Sequence, residues 1–232
     1  MRKKHKKEDY WMSISDLMSG LMIIFMFIAI AFMIQVSEQK RQLTNIVVEF
    51  KNVKSEIYEA LYEEFHDDFK YWDASIDKKT LSIKFQEPEV LFAVGSSSVN
   101  PKFQKILDDF FPRYVNILSK EKYKTVVQEI RIEGHTSSEW INNSRDPMQS
   151  YFRNMELSQA RTRSVLEYVI SLPSPAIQSH REWLLQRITA NGLSYSQRVI
   201  ENGIEDAKKS RRVEFRIRTN ADEKMELLEE KS

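Results

Sequence analysis

The chain has 232 residues, a formal net charge of +1 and no cysteine, and 30% of its residues are charged. The length allows one ordinary domain with accessory segments, or one larger domain. The balanced charge gives no electrostatic footprint of a nucleic-acid partner. The absence of cysteine excludes a disulfide scaffold, so an extracellular domain here has to fold on a hydrophobic core alone.

The first apolar segment is long enough to cross a membrane. Residues 17–34 are all apolar or small, although the mean hydropathy of the whole chain is −0.50, and about 18 such residues make a spanning helix the default. With Tyr10 and Trp11 as an aromatic belt, we predict a transmembrane helix over residues 11–36. The basic block "MRKKHKK" predicts a cytoplasmic tail over residues 1–10 and a periplasmic location for the chain after residue 36. A cleaved signal peptide is the alternative, but no A-x-A-like cleavage site follows.

One acidic residue, Asp16, lies near the start of this apolar segment. An ionised carboxylate is costly in hydrocarbon, and removal from water favours its neutral, protonated form when partner helices surround it. The position therefore predicts a proton-carrying site. The candidate supporting hydroxyl groups belong to Ser13, Ser15 and Ser19. The alternative is that Asp16 caps the start of the helix, since aspartate is a favourable N-cap. A lone carboxylate favours H⁺, but the serine oxygens keep Na⁺ open.

Residues 37–72 contain neither proline nor glycine and predict a helix. Apolar residues recur there at alternating spacings of three and four, which is the pattern of a heptad seam. They are Leu43, Ile46, Phe50, Val53, Ile57 and Ala60. We interpret the segment as a periplasmic stalk that forms a parallel dimer. The other interpretation is an amphipathic helix packed on the next domain.

The pattern changes after this segment and predicts an α+β domain over residues 73–220. The strand-like segments are "TLSIKFQ", "TVVQEIRIEG", "LLQRITANGL" and "SRRVEFRIRT". The helical segments between them are "NPKFQKILDDFFPRYVNIL" and "NMELSQARTRSVLEYVISL". The order is β-α-β-α-β-β, which predicts helices on one face of a mixed sheet. Residues 221–232 are polar and predict a loose C-terminal tail.

Several motifs of this domain resemble the peptidoglycan-binding domain of the OmpA/MotB family. They are "GHTSS", "NMELSQARTRSVLEY" and "SRRVEFRI", and the upstream "EVLFAVGSSSVNP" resembles the strand and loop before the family's first helix. The resemblance covers roughly residues 80–218 and implies that the chain binds peptidoglycan. The residues it implies for this binding are Ser137, Asn154, Leu157, Arg161 and Arg212, with Arg211 flanking the same site.

The resemblance also implies roles for individual groups. The family's arginine at the position of Arg161 holds a carboxylate of the diaminopimelate peptide, and a guanidinium forks onto a carboxylate well. The family's aspartate, which holds the ammonium of that peptide, is Ser137 in this chain. Glu139 or Asp146, in the longer loop over residues 137–152, is a candidate substitute for the missing counter-charge. The alternative is that Ser137 itself holds the ammonium through a weaker hydrogen bond.

The N-terminal segment "SISDLMSGLMIIFMFIAIAFM", followed by such a domain, is similar to MotB-type stator subunits. It resembles most closely the ZorB subunits of Zorya anti-phage defence systems. The resemblance implies a homodimer of this chain inside a pentameric ring of a multi-span, MotA-like partner of the ZorA type. It also implies a complex in the bacterial inner membrane that conducts ions, with Asp16 as the carrier. The alternative function is a structural tether between membrane and peptidoglycan, which has no use for an acid in the span.

Motifs of enzymes and cofactor sites are missing from the sequence. It contains no H-E-x-x-H motif, no glycine-rich phosphate loop and no nucleophile elbow, and the four histidines have no ligand spacing. We therefore expect no enzyme activity, no cofactor, no metal site and no nucleic-acid partner. His135 follows a predicted strand closely, and we expect it to be a hydrogen-bonded structural residue.

Overall fold

A computed structural model of the chain describes residues 5–86, 91–93, 95–139 and 146–220. Side chains are described over residues 14–41, 52–86, 91–93, 95–139 and 146–220. The chain divides into two compact units, Met1–Glu49 and Phe50–Ser232. Residues 1–4 of the predicted cytoplasmic tail, and the whole predicted C-terminal tail over 221–232, lie outside the described residues.

The first helix, α1 (His5–Phe65), contains a stretch, Ile14–Arg41, that is long and apolar enough to cross a membrane. Its apolar side chains are exposed in the isolated chain, for example Leu17 at 73% and Met22 at 75%. Such a surface is stable only against lipid or partner helices. Because α1 begins at His5, Asp16 lies in the interior of the helix, which excludes the interpretation of Asp16 as its N-cap.

The last turns of α1 belong to the core of the second unit. Ile57, Leu61 and Phe65 are fully buried there, and Val53 and Ala60 pack against the same core. The spacing of four residues places the three buried side chains on one face of the helix. The predicted stalk over residues 37–72 therefore ends inside the domain core. For this end of the segment, the structure agrees with the second interpretation, an amphipathic helix packed on the next domain. The side chains of Leu43, Ile46 and Phe50 lie outside the described residues.

A five-stranded mixed sheet forms the framework of the second unit. Its strands are β1 (Ala74–Asp77), β2 (Ser82–Phe85), β3 (Val127–His135), β4 (Ile188–Gly192) and β7 (Arg212–Thr219); β5 (Ile200–Glu201) and β6 (Ile204–Glu205) form a separate hairpin. The order across the sheet is β1-β2-β7-β3-β4, with β3 and β4 parallel and the other pairs antiparallel. Side chains alternate along each strand, so Ile130 and Ile132 enter the core while Arg131 and Glu133 lie on the opposite face.

The other helices are α2 (Phe69–Trp72), α3 (Pro101–Leu118), α4 (Glu121–Lys124), α5 (Pro147–Ser171), α6 (Pro175–Ser179), α7 (Arg181–Leu185) and α8 (Ala207–Ser210). Asn100 caps α3, because its side chain accepts a hydrogen bond of 3.0 Å from the backbone N–H of Lys102. The buried face of α3 packs on the sheet through aromatic rings. The ring centroid of Phe110 lies 5.0 Å from that of Phe85 and 5.1 Å from that of Phe215.

Helix α5 approaches the sheet closely at two glycines. A Cβ atom on Gly192 would lie 2.3 Å from the backbone nitrogen of Gln159, and one on Gly134 would lie 2.7 Å from Cγ2 of Thr162. Both positions therefore require a residue without a side chain. This contact fixes the distance between α5 and the ends of β3 and β4.

The predicted fold class is confirmed, because β2-α3-β3-α5-β4-β7 reproduces the predicted order of strands and helices. The structure adds strand β1 and the β5–β6 hairpin, which the sequence did not predict. Helix α5 also begins at Pro147, earlier than the predicted start at Asn154. The reason is local: the side chain of Asp146 accepts a hydrogen bond of 2.9 Å from the backbone N–H of Met148, and Pro147 fits the first turn.

Candidate functional site

A shallow cleft lies where β3 ends and β7 begins, beside helix α5. Its volume is about 10 Å³ and its lining includes Phe92, Gly134, Arg161, Arg211 and Arg212. That volume has room for about one water molecule, so the cleft can receive the end of a group but does not enclose a ligand. We call it the arginine cleft, after its three arginines.

Arg161 reaches the arginine cleft from α5. Its Nε donates a hydrogen bond of 3.0 Å to the carbonyl of Ser96, and its guanidinium carbon lies 4.8 Å from the ring centroid of Phe92. Burial, followed by the positive charge of Arg211, lowers the pKa of Arg161 to about 10, so the group is still charged at neutral pH. Within the described part of the chain, no ion pair involves Arg161. A half-buried cation without a counter-charge favours the binding of an anion.

Arg211 stands beside Arg161 and is held by Ser137. Its Nη1 donates to Oγ of Ser137 at 3.3 Å and lies 3.5 Å from a carboxylate oxygen of Glu139. Ser137 is buried, whereas the Glu139 side chain is 74% exposed. An exposed pair at this distance contributes little, so the charge of Arg211 is only weakly compensated. Ser137, one of the residues predicted to bind peptidoglycan, thus contacts an arginine.

Arg212 also lines the cleft, but its hydrogen bonds run into the protein. Its Nε donates to Oε1 of Glu214 at 2.6 Å, and its Nη1 donates to the carbonyls of Ser210 at 3.1 Å and Gln197 at 3.2 Å. The side chain is buried. The sequence assigns a binding role to Arg212 and only a flanking position to Arg211. The structure brings both to the cleft and leaves Arg211 the better placed of the two to meet a ligand.

The other predicted residues of this site lie on or next to α5. Asn154 is buried, and its Nδ2 donates a hydrogen bond of 3.1 Å to the carbonyl of Ser150, one turn earlier. Leu157 is half-buried on the same helix. Asp146, one candidate for the missing counter-charge, is occupied as the N-cap of α5. Residues 140–145 of the predicted loop lie outside the described residues.

Ser194 is a positioning residue that the sequence did not indicate. Its backbone N–H donates to Oγ of Ser158 at 3.1 Å, its Oγ donates to the carbonyl of Tyr151 at 2.9 Å, and its carbonyl accepts from the N–H of Thr136 at 2.9 Å. Its φ of +51° is in the left-handed region. These bonds join α5 to the chain just after β3. No local sequence signal could have revealed them, because all three partners are distant in the chain.

A buried polar cluster lies on the sheet next to the cleft. The ligand-type atoms of Glu133, His135 and Glu214 all lie within 4.8 Å of one another, so these residues could hold a metal ion. Burial opposes the ionisation of Glu214, but the neighbouring Arg212 and His135 outweigh it and lower the pKa of its carboxyl group. Among the described residues, neither ring nitrogen of His135 has a hydrogen-bond partner. The expectation that His135 is hydrogen-bonded is therefore wrong.

The predicted membrane site lies in α1. Oγ of Ser19 donates a hydrogen bond of 2.8 Å to the carbonyl of Ser15, which satisfies the hydroxyl along its own helix. Asp16 and Ser19 are three residues apart and share a face of the helix. Asp16 is exposed in the isolated chain, so partner helices would have to supply any shielding from water. The side chain of Ser13 lies outside the described residues.

Comparison with known proteins places these features in a family. Residues 91–212 match the model of the OmpA family. The Zorya protein ZorB of Escherichia coli (Crooks strain) is 45% identical over 221 residues, which is 95% of this chain and 92% of that protein. The Zorya protein ZorB of Escherichia coli O139:H28 is 24% identical over 93% of this chain and 82% of that protein.

A solved structure shows the same fold. The MotB-like protein from Desulfovibrio vulgaris has a TM-score of 0.52 and 22% identity, and the match covers 75% of this chain and 99% of that one. The similarity in sequence extends from the apolar helix through the α+β domain. The chain therefore belongs to the ZorB family of Zorya proteins and carries an OmpA-family domain over residues 91–212.

Proposed function

We propose that this chain is the cell-wall-anchored subunit of an ion-driven motor complex in the bacterial inner membrane, used in defence against phage. The similarity to Zorya proteins ZorB over 95% of the chain supports this proposal, as does the combination of one candidate membrane helix with an OmpA-family domain. In this arrangement residues 1–10 are cytoplasmic and residues 73–220 are periplasmic. A homodimer of the chain lies inside a pentameric ring of a multi-span, ZorA-type partner.

The wall-binding part of the proposal rests on one observation: Arg161 is a charged, half-buried guanidinium whose only described hydrogen bond is to the carbonyl of Ser96. Its Nη groups can fork onto a carboxylate of a diaminopimelate-type peptide. Arg211 adds positive charge beside it. Ser137, Asn154, Leu157 and Arg212 complete the proposed site.

The last four residues have different roles in the proposed site. Ser137 orients Arg211 through its Oγ, and Arg212 holds the start of β7 through its bonds to Glu214 and Ser210. Asn154 and Leu157 shape the face of α5 that precedes Arg161. The ammonium of the peptide would meet the exposed carboxylate of Glu139, because Ser137 carries no charge.

Binding to purified peptidoglycan sacculi tests the anchor. Arg161→Ala removes a charge-assisted hydrogen bond worth about 1.5–3 kcal/mol, which corresponds to roughly 10- to 150-fold weaker binding. Arg161→Lys keeps the charge but loses the fork, so it should also bind weakly. Arg163→Ala is the matched control, because Arg163 pairs with Glu167 on the exposed face of the same helix. Unchanged binding by Arg161→Ala would reject the proposed carboxylate site.

The ion-carrying part of the proposal rests on Asp16, the one acidic residue between residues 10 and 37. When partner helices shield it from water, its neutral form tolerates apolar neighbours, whereas its ionised form requires water or a polar partner. Each gain or loss of a proton would then change which part of the surrounding ring the helix prefers. Rotation of the ring around the chain is the proposed consequence. Ser13, Ser15 and Ser19 would supply hydroxyl groups along the path.

Phage protection in cells that co-express the multi-span partner tests this part. Asp16→Asn should leave assembly intact and abolish protection, because the amide cannot gain and lose a proton. Glu38→Gln is the matched control, since Glu38 lies at the other end of the candidate span and pairs with Arg41. If the Asp16→Asn variant gives full phage protection and the Arg161→Ala variant gives none, the result would favour the structural tether instead.

A further inference from the structure

The buried cluster on β3 and β7 arises from strand register. The register pairs Glu133 with Glu214 and His135 with Arg212. Residues two apart on a strand share a face, so the imidazole and both carboxylates meet on the sheet face that is opposite to the aromatic core. All three are nearly inaccessible: Glu133 is 3%, His135 is 4% and Glu214 is 5% exposed.

Three polar atoms of this cluster lack the hydrogen bonds that burial normally requires. Among the described residues, Oε2 of Glu133 and both ring nitrogens of His135 have no partner. Nε2 of His135 lies 3.7 Å from Oε2 of Glu133 and 3.6 Å from Oε1 of Glu214. Both distances exceed the range of an N–H···O hydrogen bond. Buried polar groups are normally satisfied, so these atoms point to a ligand that binds at this cluster.

The spacing is that of ligands around one small cation. Zinc binds imidazole nitrogen and carboxylate oxygen at about 2.0–2.2 Å, and tetrahedral geometry then separates neighbouring ligand atoms by about 3.4 Å. The separations of 3.6 and 3.7 Å between Nε2 of His135 and the two carboxylate oxygens are close to this value. The distance between the ligand-type oxygens of the two carboxylates does not exceed 4.8 Å. We propose that Glu133, His135 and Glu214 bind a divalent cation of the zinc class, which fastens β3 to β7 beside the arginine cleft.

The donor atoms of the cluster suit this occupant. One imidazole beside two carboxylate oxygens is a donor set that zinc accepts. Arg212 donates to Oε1 of Glu214, and such an outer hydrogen bond commonly orients a ligating carboxylate. Arg216 forms an ion pair with Oε1 of Glu133 at 3.8 Å, so Oε2 of Glu133 is the oxygen of that carboxylate offered to the cation. Lys84, which faces Glu214 across the strands, pairs with Asp77 at 2.8 Å. Water would complete the coordination.

Zinc content and thermal unfolding of the full chain test this proposal. The chain is purified in detergent with a histidine-free tag, stripped with a chelator and dialysed against Zn²⁺ alone. We expect one zinc per wild-type chain. We also expect the melting temperature to rise by roughly 5–10 °C when free zinc exceeds the dissociation constant about 100-fold. Glu133→Gln and His135→Gln should each lose the bound zinc and the shift.

The control removes one carboxylate and one imidazole from an exposed part of the chain, in the double variant Glu63→Gln with His66→Gln. This double variant should still bind zinc and should show the same rise in melting temperature as wild type. A folded, metal-free wild type that takes up no zinc overturns the proposal, even if the cluster variants fail to fold. Equal zinc uptake by a folded Glu133→Gln also overturns it. Neither measurement involves peptidoglycan or ion flow, so the result is independent of the proposed function.

Discussion

Gly192→Ala tests whether the contact between α5 and the sheet positions the arginine cleft. The new Cβ would lie 2.3 Å from the backbone nitrogen and 2.7 Å from Cα of Gln159, whereas ordinary contacts begin at 3.4 Å. The helix would therefore have to move by about 1 Å, because the obstacle is backbone and not the end of a flexible side chain. Overpacking of this kind costs about 1–3 kcal/mol, and we expect the upper end.

Thermal unfolding of the full chain in detergent measures this cost. For a chain of this length about 3 kcal/mol lowers the melting temperature by roughly 6–12 °C. Gly203→Ala is the control, since its Cβ meets no atom within 4 Å while its φ of +79° adds only backbone strain, worth about 1 kcal/mol. Because α5 carries Arg161, the Gly192 variant should also bind sacculi more weakly below its melting temperature. A Gly192 variant as stable as wild type would refute the reasoning.

Two further substitutions probe other parts of the domain. Arg113, on α3, donates to Glu64 near the end of α1 at 2.7 Å and to Asp68 just before α2 at 2.9 Å. Arg113→Met should lower the melting temperature by an amount equivalent to about 1–3 kcal/mol. An unchanged melting temperature would contradict a stabilising role for these two bonds. Burial raises the pKa of Asp77, but hydrogen bonds from Lys84 and from two backbone N–H groups outweigh it and lower the pKa to about 2 from 3.8. A lowered pKa stabilises the fold above the unfolded-state pKa, so this contribution is lost as the pH falls from about 4 to about 2. Asp77→Asn should make the melting temperature depend less on pH between about 4 and about 2. The same pH dependence of the melting temperature in wild type and variant would contradict the assignment.

The sequence predicted the parts of the structure that local patterns control. Unbroken apolar composition predicted the candidate membrane helix around Asp16, because hydrophobicity and length suffice for that inference. The strand-like segments predicted β2, β3 and β7, and the helical segment "NPKFQKILDDFFPRYVNIL" predicted α3. A motif resemblance predicted the family that the comparisons confirmed.

The start of α5 and the end of α1 show where local patterns mislead. Asp146 and Pro147 are a helix-start signal inside a segment predicted as a loop. The apolar seam that predicted a dimer stalk places Ile57 in the core of the chain's own domain. A helix's apolar face shows only that something covers it, and composition does not say which surface does so.

Only the tertiary structure decided which polar groups meet. The pairing of β3 with β7 brings Glu133 and His135 to Glu214, across about 80 residues of chain, and this turns a histidine expected to be structural into a candidate metal ligand. The packing of α5 brings Arg161 next to Arg211, and no ion pair of Arg161 is found among the described residues. Strand register and helix packing are set by the whole core, so residue spacing along the chain carries no information about these contacts.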